Sequence, residues 1–261
     1  MKIKIIKAEG TKNHFLIIRK GIKPRSVENF LKKVIEKTNY DRVDGFLWIS
    51  ESKKADFKMD YYNNDGSWET MCANGARCAA LYMYQQKLVK KSKMTIETGD
   101  GYHYAEILKH NLVKISMNSP KYKTGCITID GIEGRHIDSG ASHFVVQYKN
   151  ISKKKAKSLG ELIRNNKVFS PRGTNVNFYE DINENNIKVR TYEKGIEDIV
   201  FSCGTGSLAC VYHLSKTNKI ISPTVVDVDG GKLEINFSQD WKKITLSGEA
   251  KIEDAKEIEI Y

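Results

Sequence analysis

Cys72-Ala73-Asn74-Gly75 and Cys203-Gly204-Thr205-Gly206 stand about half a chain apart, and each runs straight into an apolar segment of helical spacing. A thiol just ahead of a helix meets free backbone N–H groups and the positive end of the helix dipole, both of which favour the thiolate. Two such thiols suit a two-base proton transfer. One, as thiolate, removes a proton from a carbon, and the other, as thiol, returns one to the opposite face. The N–H groups of Ala73, Asn74 and Gly75 on one side, and of Gly204, Thr205 and Gly206 on the other, would hold a substrate carboxylate and stabilise the charge that develops on it. Glycine at 75, 204 and 206 permits close approach of that ligand. The expected chemistry is inversion at the alpha carbon of an amino acid, with no cofactor and no metal.

The competing reading of a cysteine is inert burial. Cys78, Cys126 and Cys210 are assigned that role, the first and last inside their helices. The Gly-rich settings of Cys72 and Cys203, each with an Asn or Thr, are harder to explain as packing. Five cysteines, an odd number, argue against a disulfide framework and suit a reducing compartment. No C-x2-C or two-sided Cys/His ligand set supports a metal centre. His103, His110 and His136 read as strand or turn residues, whereas His143, after Ser139-Gly140-Ala141-Ser142, is expected to line a cleft. Asn13, Asn63, Asn175, Glu193 and Lys194 fall in loops. Each alone is an ordinary turn former or solvated group, but as a set they could recognise a charged substrate tail.

Hydrophobic periodicity supplies the elements that must carry these residues. Strands are expected at 1–7, 15–19, 45–50, 56–62, 94–98, 102–108 and 112–117. A helix at 26–37 carries Val27, Phe30, Leu31, Val34 and Ile35 on one stripe. A helix over Ala76–Lys87 follows Cys72, with Arg77 on its rim. The second half repeats this grammar, with strands at 125–130, 133–138, 143–148, 174–179 and 187–192 and a lysine-flanked helix at about 156–165. A helix over 207–216 follows Cys203, and strands at 225–228, 232–237, 244–251 and 257–261 close the chain. Matching cysteine-to-helix junctions suggest an internal duplication and a cleft between the halves.

The chain has 261 residues, 40% of them apolar, enough for two domains of ordinary size. Its net charge of +11 invites a nucleic-acid reading. The basic residues are scattered, however, and the densest run, Lys153-Lys154-Lys155, lacks the interleaved aromatics of a stacking platform. An anionic small-molecule substrate fits the charge equally well, and no nucleic-acid partner is expected. No window approaches the roughly 20 apolar residues of a membrane span, and no secretory signal is apparent. The cytoplasm is the expected location.

Four stretches resemble the diaminopimelate epimerase family in the family's order: Asn63-Asn64-Asp65-Gly66-Ser67, Cys72-Ala73-Asn74-Gly75-Ala76-Arg77-Cys78, Thr174-Asn175-Val176-Asn177-Phe178, and Val189-Arg190-Thr191-Tyr192-Glu193-Lys194-Gly195 followed by Cys203-Gly204-Thr205-Gly206. The resemblance covers essentially the whole length. It implies an α/β fold of two pseudosymmetric domains, each a sheet wrapped around a central helix, with the active site in the interdomain cleft. The domains would run over 1–120, completed by a C-terminal strand at about 250–261, and over 121–249. It implies cofactor-free interconversion of LL- and meso-diaminopimelate with Cys72 and Cys203 as the acid/base pair. Asn13, Asn63, Asn175, Glu193 and Lys194 would hold the distal amino-carboxylate end; Ala73-Asn74 and Gly204-Thr205 would hold the reacting carboxylate. Family members often form homodimers.

Departures from the family gather around the substrate. The opening loop reads Gly10-Thr11-Lys12-Asn13-His14-Phe15 in place of Gly-Leu-Gly-Asn-Asp-Phe. Ala73 replaces a glycine, Trp68 an acidic residue, Ser142 a proline, and Ile199-Val200 a Glu-Thr pair. Lys194 stands where the family has arginine, and a lysine neutralises a carboxylate without arginine's bidentate fork. A racemase or epimerase of a different amino acid is therefore the alternative. A catalytically inactive anion- or nucleic-acid-binding homologue is a further, lesser one.

Overall fold

The computed structural model describes residues 2–19 and 23–260. Met1 and Tyr261, the outer ends of the first and last expected strands, lie outside the described residues. The chain divides into two compact units, Met1–Ile115 with Gly248–Tyr261, and Ser116–Ser247.

In the first unit, β1 (Lys2–Gly10) pairs antiparallel with β2 (Asn13–Arg19), and β2 pairs parallel with β3 (Gly45–Ser50). The ladder continues through β4 (Phe57–Asn63), β6 (Lys93–Thr98), β7 (Gly101–Lys109) and β8 (Leu112–Ser116), with β5 (Trp68–Glu69) a short addition to β4. The last strand, β17 (Ile244–Glu259), pairs with both β1 and β8 and so closes the sheet on itself. Inside lies α2 (Ala73–Gln85), packed against β1, β2, β3, β4, β6 and β7. It is buried from Ala73 to Met83. Ala73, Gly75, Ala76, Ala79 and Ala80 keep it slender enough for strands to approach on all sides.

The outer face is covered by α1 (Val27–Thr38), begun by Ser26, whose Oγ accepts from Asn29 N–H at 3.3 Å, and ended by Asn39 in the left-handed region. Phe30, Leu31 and Val34 pack on Ile5, Leu16, Ile18, Phe46 and Trp48, each such buried side chain contributing roughly 1.5–3 kcal/mol.

The second unit is built likewise. Its ladder runs β9 (Lys121–Ile129), β10 (Ile132–Asp138), β11 (Ser142–Gln147), β12 (Asn175–Asn183), β13 (Asn186–Glu193), β15 (Thr224–Val228) and β16 (Gly231–Phe237), with β14 (Asp198–Val200) beside β13. The central helix is α4 (Gly204–Lys216), against β10, β11, β12, β13 and β16. The outer helix is α3 (Lys153–Arg164), where Gly160 lies so close to Tyr192 that a Cβ has no room. Both units are thus sheets wrapped around a central helix, an α/β fold.

Three expectations change. The central helices begin at Ala73 and Gly204, three residues earlier than their periodicity indicates, because the cysteines themselves cap them. The lysine run 153–155 is not a flank but the first turn of α3, capped by Ser152; Lys153 and Lys157 pair with Asp229 and Asp198 at 3.6 and 2.9 Å. The two strands expected at 244–251 and 257–261 are one strand. A bulge opposite Ile6–Ala8 carries the strand through the charged residues between the two expected segments. No helix among the described residues is long and apolar enough to cross a membrane.

Candidate active site

Each thiol is the N-cap of its central helix. Cys72 has φ −136° and ψ 110°, and its Sγ accepts from Gly75 N–H at 3.4 Å. Cys203 has φ −132° and ψ 108°, and its Sγ accepts from Gly206 N–H at 3.4 Å. A sulfur in the place of a capping hydroxyl thus faces the first turn's N–H groups and the helix dipole. Gly75 and Gly206 also serve packing. A Cβ at Gly75 would stand 2.6 Å from Leu47 Cδ2, and one at Gly206 would collide with Asn177 Oδ1. These glycines let the sheet close on the helix start.

In the first unit, Asn74 Nδ2 donates to Asn13 Oδ1 at 2.6 Å, and Asn13 Nδ2 reaches Asp44 Oδ2 at 3.4 Å. The same Asp44 oxygen accepts from His14 N–H at 2.8 Å, and Arg42 Nε holds the other at 2.7 Å. Asp44, only 6% exposed, is therefore the carboxylate that orients Asn13. It carries no motif, and only the pairing of β2 with β3 brings it there. Asn63 accepts from Tyr61 Oη–H at 2.9 Å and donates to Ser67 Oγ at 3.0 Å, so its amide also fastens the turn after β4.

Arg77, expected on the rim, is fully buried. Its guanidinium donates to Thr11 Oγ1 at 2.7 Å and to Ala73 O at 3.4 Å, and Nε has no partner among the described residues. Burial pushes its pKa down to about 10, opposed by the thiols of Cys78 and Cys72, so it stays charged at neutral pH. Periodicity missed this because a helix buried all round has no rim.

In the second unit, a chain of hydrogen bonds ends at the sulfur. Thr191 Oγ1–H donates to Asn177 Oδ1 at 2.9 Å, and Asn177 Nδ2 donates to His143 Nδ1 at 3.0 Å. That leaves Nε2 as the protonated ring nitrogen, 3.0 Å from Thr205 Oγ1, whose own hydrogen is free to point at Cys203 Sγ, 3.6 Å away. His143 is fully buried, and burial drives its pKa down to about 3 despite the Asn177 bond, so the ring is neutral. Ser139 Oγ donates to Thr205 O at 2.7 Å and steadies the same turn. Asn175 Oδ1 accepts from Lys194 N–H at 2.8 Å, and Glu193 lies opposite Asp198 where β13 meets β14. His143 and Asn175 are neighbours in the parallel β11–β12 register.

Asn177 and Thr191 stand in the family-like stretches without an assigned role, and it is the cross-strand register that brings them under His143. Cys78 and Cys210 are fully buried, and desolvation raises both thiols. Cys126, expected to be buried, is exposed on β9; its S–H donates to Glu133 at 2.7 Å, which raises it. A further group brings donor atoms together outside these loops: Glu9, His14 and Glu253, within 4.8 Å of one another.

The model of the family described as diaminopimelate epimerase matches residues 5–123 and 135–253. A diaminopimelate epimerase of Aquifex aeolicus is 36% identical over 259 residues, covering 93% of this chain and 92% of its own. Among solved structures, a probable proline racemase from Agrobacterium radiobacter superposes with a TM-score of 0.78 at 15% identity, over 99% of this chain and 93% of its own. A Bacillus anthracis phenazine biosynthesis protein of the PhzF family superposes with a TM-score of 0.75 at 14% identity, over the full length of both.

Proposed function

Because the chain belongs to the diaminopimelate epimerase family, and with it to the epimerase-type isomerases, we propose that it interconverts LL- and meso-diaminopimelate by two-base proton transfer between Cys72 and Cys203. The observation that carries this reading is the repetition of one local geometry. Two sulfurs cap two helices with dihedral angles a few degrees apart and the same 3.4 Å bond to the third residue of the helix.

In this mechanism one sulfur, as thiolate, takes the alpha proton while the other, as thiol, delivers its proton to the opposite face. The sulfurs exchange protonation states with each turnover, so the reverse reaction starts from the enzyme form that the forward reaction leaves. Charge pushed from the alpha carbon into the substrate carboxylate is met by the first-turn N–H groups at Ala73-Asn74 and Gly204-Thr205 and by both helix dipoles. Asn13, Asn63, Asn175, Glu193 and Lys194 take the distal amino-carboxylate end, with Asn13 oriented by Asp44 and Asn175 by the Lys194 N–H.

Lys194 is the observation that favours a second reading, a racemase or epimerase of a different amino acid. Its ammonium is a point charge where a fork is usual in the family. Proton NMR in deuterated water separates the two readings. Loss of the alpha-proton signal from LL- and meso-diaminopimelate, and not from single-centre amino acids, is the expected result. Exchange confined to another amino acid keeps the chemistry and replaces the substrate. Lys194→Arg should retain activity and Lys194→Met should lose it if the substrate tail carries a carboxylate.

A further inference from the structure

We infer that Glu9, His14 and Glu253 form a binding site for a first-row divalent cation of the zinc class, beside the tip of the hairpin that carries Asn13. Nothing in the proton-transfer chemistry uses these three side chains.

The strands converge the donors by register. Glu9 on β1 lies directly opposite His14 on β2, so both project from one face of the sheet. Glu253 joins them from β17 on the other side of β1, at the bulge where Ile6 pairs with Ala255 but Ala8 pairs with Ile252. The extra residue of a bulge re-aims a side chain, and here it brings a carboxylate to the Glu9–His14 pair. The donor atoms lie within 4.8 Å of one another. Ligands about 2.0–2.2 Å from a zinc ion stand roughly 3.4 Å apart, so the half-buried side chains need to move together by at most about 1.4 Å.

The ring of His14 gives a second, independent sign. Its Nδ1 is buried with no hydrogen-bond partner among the described residues, a condition that native structures normally relieve with a bond, a water or an ion. Among the described residues each carboxylate keeps one oxygen for a metal. Glu9 Oε1 accepts from Lys12 N–H at 3.2 Å, leaving Oε2, and Glu253 Oε2 pairs with Lys7 Nζ at 2.9 Å, leaving Oε1. Lys7 Nζ also lies over the Tyr40 ring, 5.2 Å from its centroid, and neutralises one of the two carboxylates. One imidazole and two carboxylates suit zinc, cobalt or manganese, and three protein ligands leave a coordination position for water.

A cation there would cross-link β1, β2 and β17 one residue from Asn13. Its effect is therefore to hold the hairpin that presents Asn13 to Asn74. The claim of binding stands without the proposed reaction, whereas its consequence for Asn13 rests on it.

The test is titration of the metal-free, reduced full-length chain with Co²⁺, read by visible absorption, with thermal melts in parallel. The expected result is one Co²⁺ per chain with ligand-field bands free of sulfur charge transfer, displaced by Zn²⁺, and a higher melting temperature on binding. His14→Gln and Glu253→Gln, tested separately, should each weaken binding at least tenfold and remove the melting shift, with circular dichroism unchanged. Unaltered affinity in both variants, a thiolate charge-transfer spectrum alone, or no binding at millimolar Co²⁺ overturns the site. Because these readouts follow the metal and not turnover, their outcome is independent of whether diaminopimelate is the substrate.

Discussion

The two thiol caps are nearly superimposable in backbone geometry and differ in what stands behind them. Behind Cys72 lies a buried cation, Arg77, charged and with no carboxylate among the groups acting on it. At the equivalent distance after Cys203 stands Leu208, fully buried and apolar. Behind Cys203 lies instead a neutral relay, Thr191–Asn177–His143–Thr205, ending in a hydroxyl 3.6 Å from the sulfur. Cys72 is partly exposed and Cys203 only 8% exposed. The lesson is that a duplicated cap need not give duplicated electrostatics. A permanent positive charge favours thiolate at Cys72, while dipoles and a hydroxyl serve whichever state Cys203 holds.

The comparison breaks most severely at the sulfurs. Cys72→Ala and Cys203→Ala should each lower kcat by about 10³-fold or more, the range of a lost acid/base group, with melting temperatures within a few degrees of wild type. Near-normal turnover by both variants removes the two-base reading.

Arg77→Met gives the first unit the apolar backing of the second. Activity at neutral pH should fall roughly tenfold and the pH–rate profile should move to the alkaline side, since the thiolate loses its cation. Stability should hold or rise, because an apolar group of similar volume often replaces a buried charge at no cost. Iodoacetamide should alkylate Cys72 faster than Cys203 in the wild type, and this ratio should shrink in the variant. An unshifted pH profile contradicts the proposed asymmetry.

Thr205→Val removes the hydroxyl at the end of the relay. A loss of about fivefold in kcat, from one hydrogen bond of roughly 1 kcal/mol, is expected without any shift of the alkylation ratio at Cys72. A change at Cys72 would mean that the half-sites are not independent.

The remaining effect is on stability against pH and leaves turnover aside. The His143 pKa falls from 6.5 to about 3 on folding, so below 6.5 the unfolded chain binds a proton that the folded chain refuses. Its share of stability is constant above 6.5 and is lost as pH falls toward 3. Linkage gives about 3 kcal/mol lost by about pH 4.5. His143→Gln should flatten the urea-midpoint curve across that window, whereas Arg77→Met should leave its slope unchanged. Parallel curves for wild type and His143→Gln would contradict the neutral relay.

Much of this scaffold is legible in the sequence, for reasons that differ by element. The stripe of α1 stands out because one face of that helix meets solvent. The junctions at Cys72 and Cys203 stand out because Gly, Asn and Thr next to an apolar run mark a helix start. Arg77 does not, because α2 and α4 are buried on every side and a charge within them breaks no stripe. Asp44, Asn177 and Thr191 escape for another reason: their neighbours lie on adjacent strands, and register is a property of the folded sheet. The exposure of Cys126 is hidden in the same way, since a thiol in an alternating strand has no visible side until pairing sets it.

The central claim is tested most directly by the fate of the label in deuterated water. The enzyme is mixed with a single protonated stereoisomer of diaminopimelate and stopped early, and deuterium at the alpha carbon is measured by mass spectrometry in both product and recovered substrate. Two thiols on opposite faces predict deuterium in nearly every product molecule and almost none in the recovered substrate, because the sulfur that removes the proton does not supply its replacement. Equal labelling of both pools means that one group both removes and returns the proton, and contradicts the account.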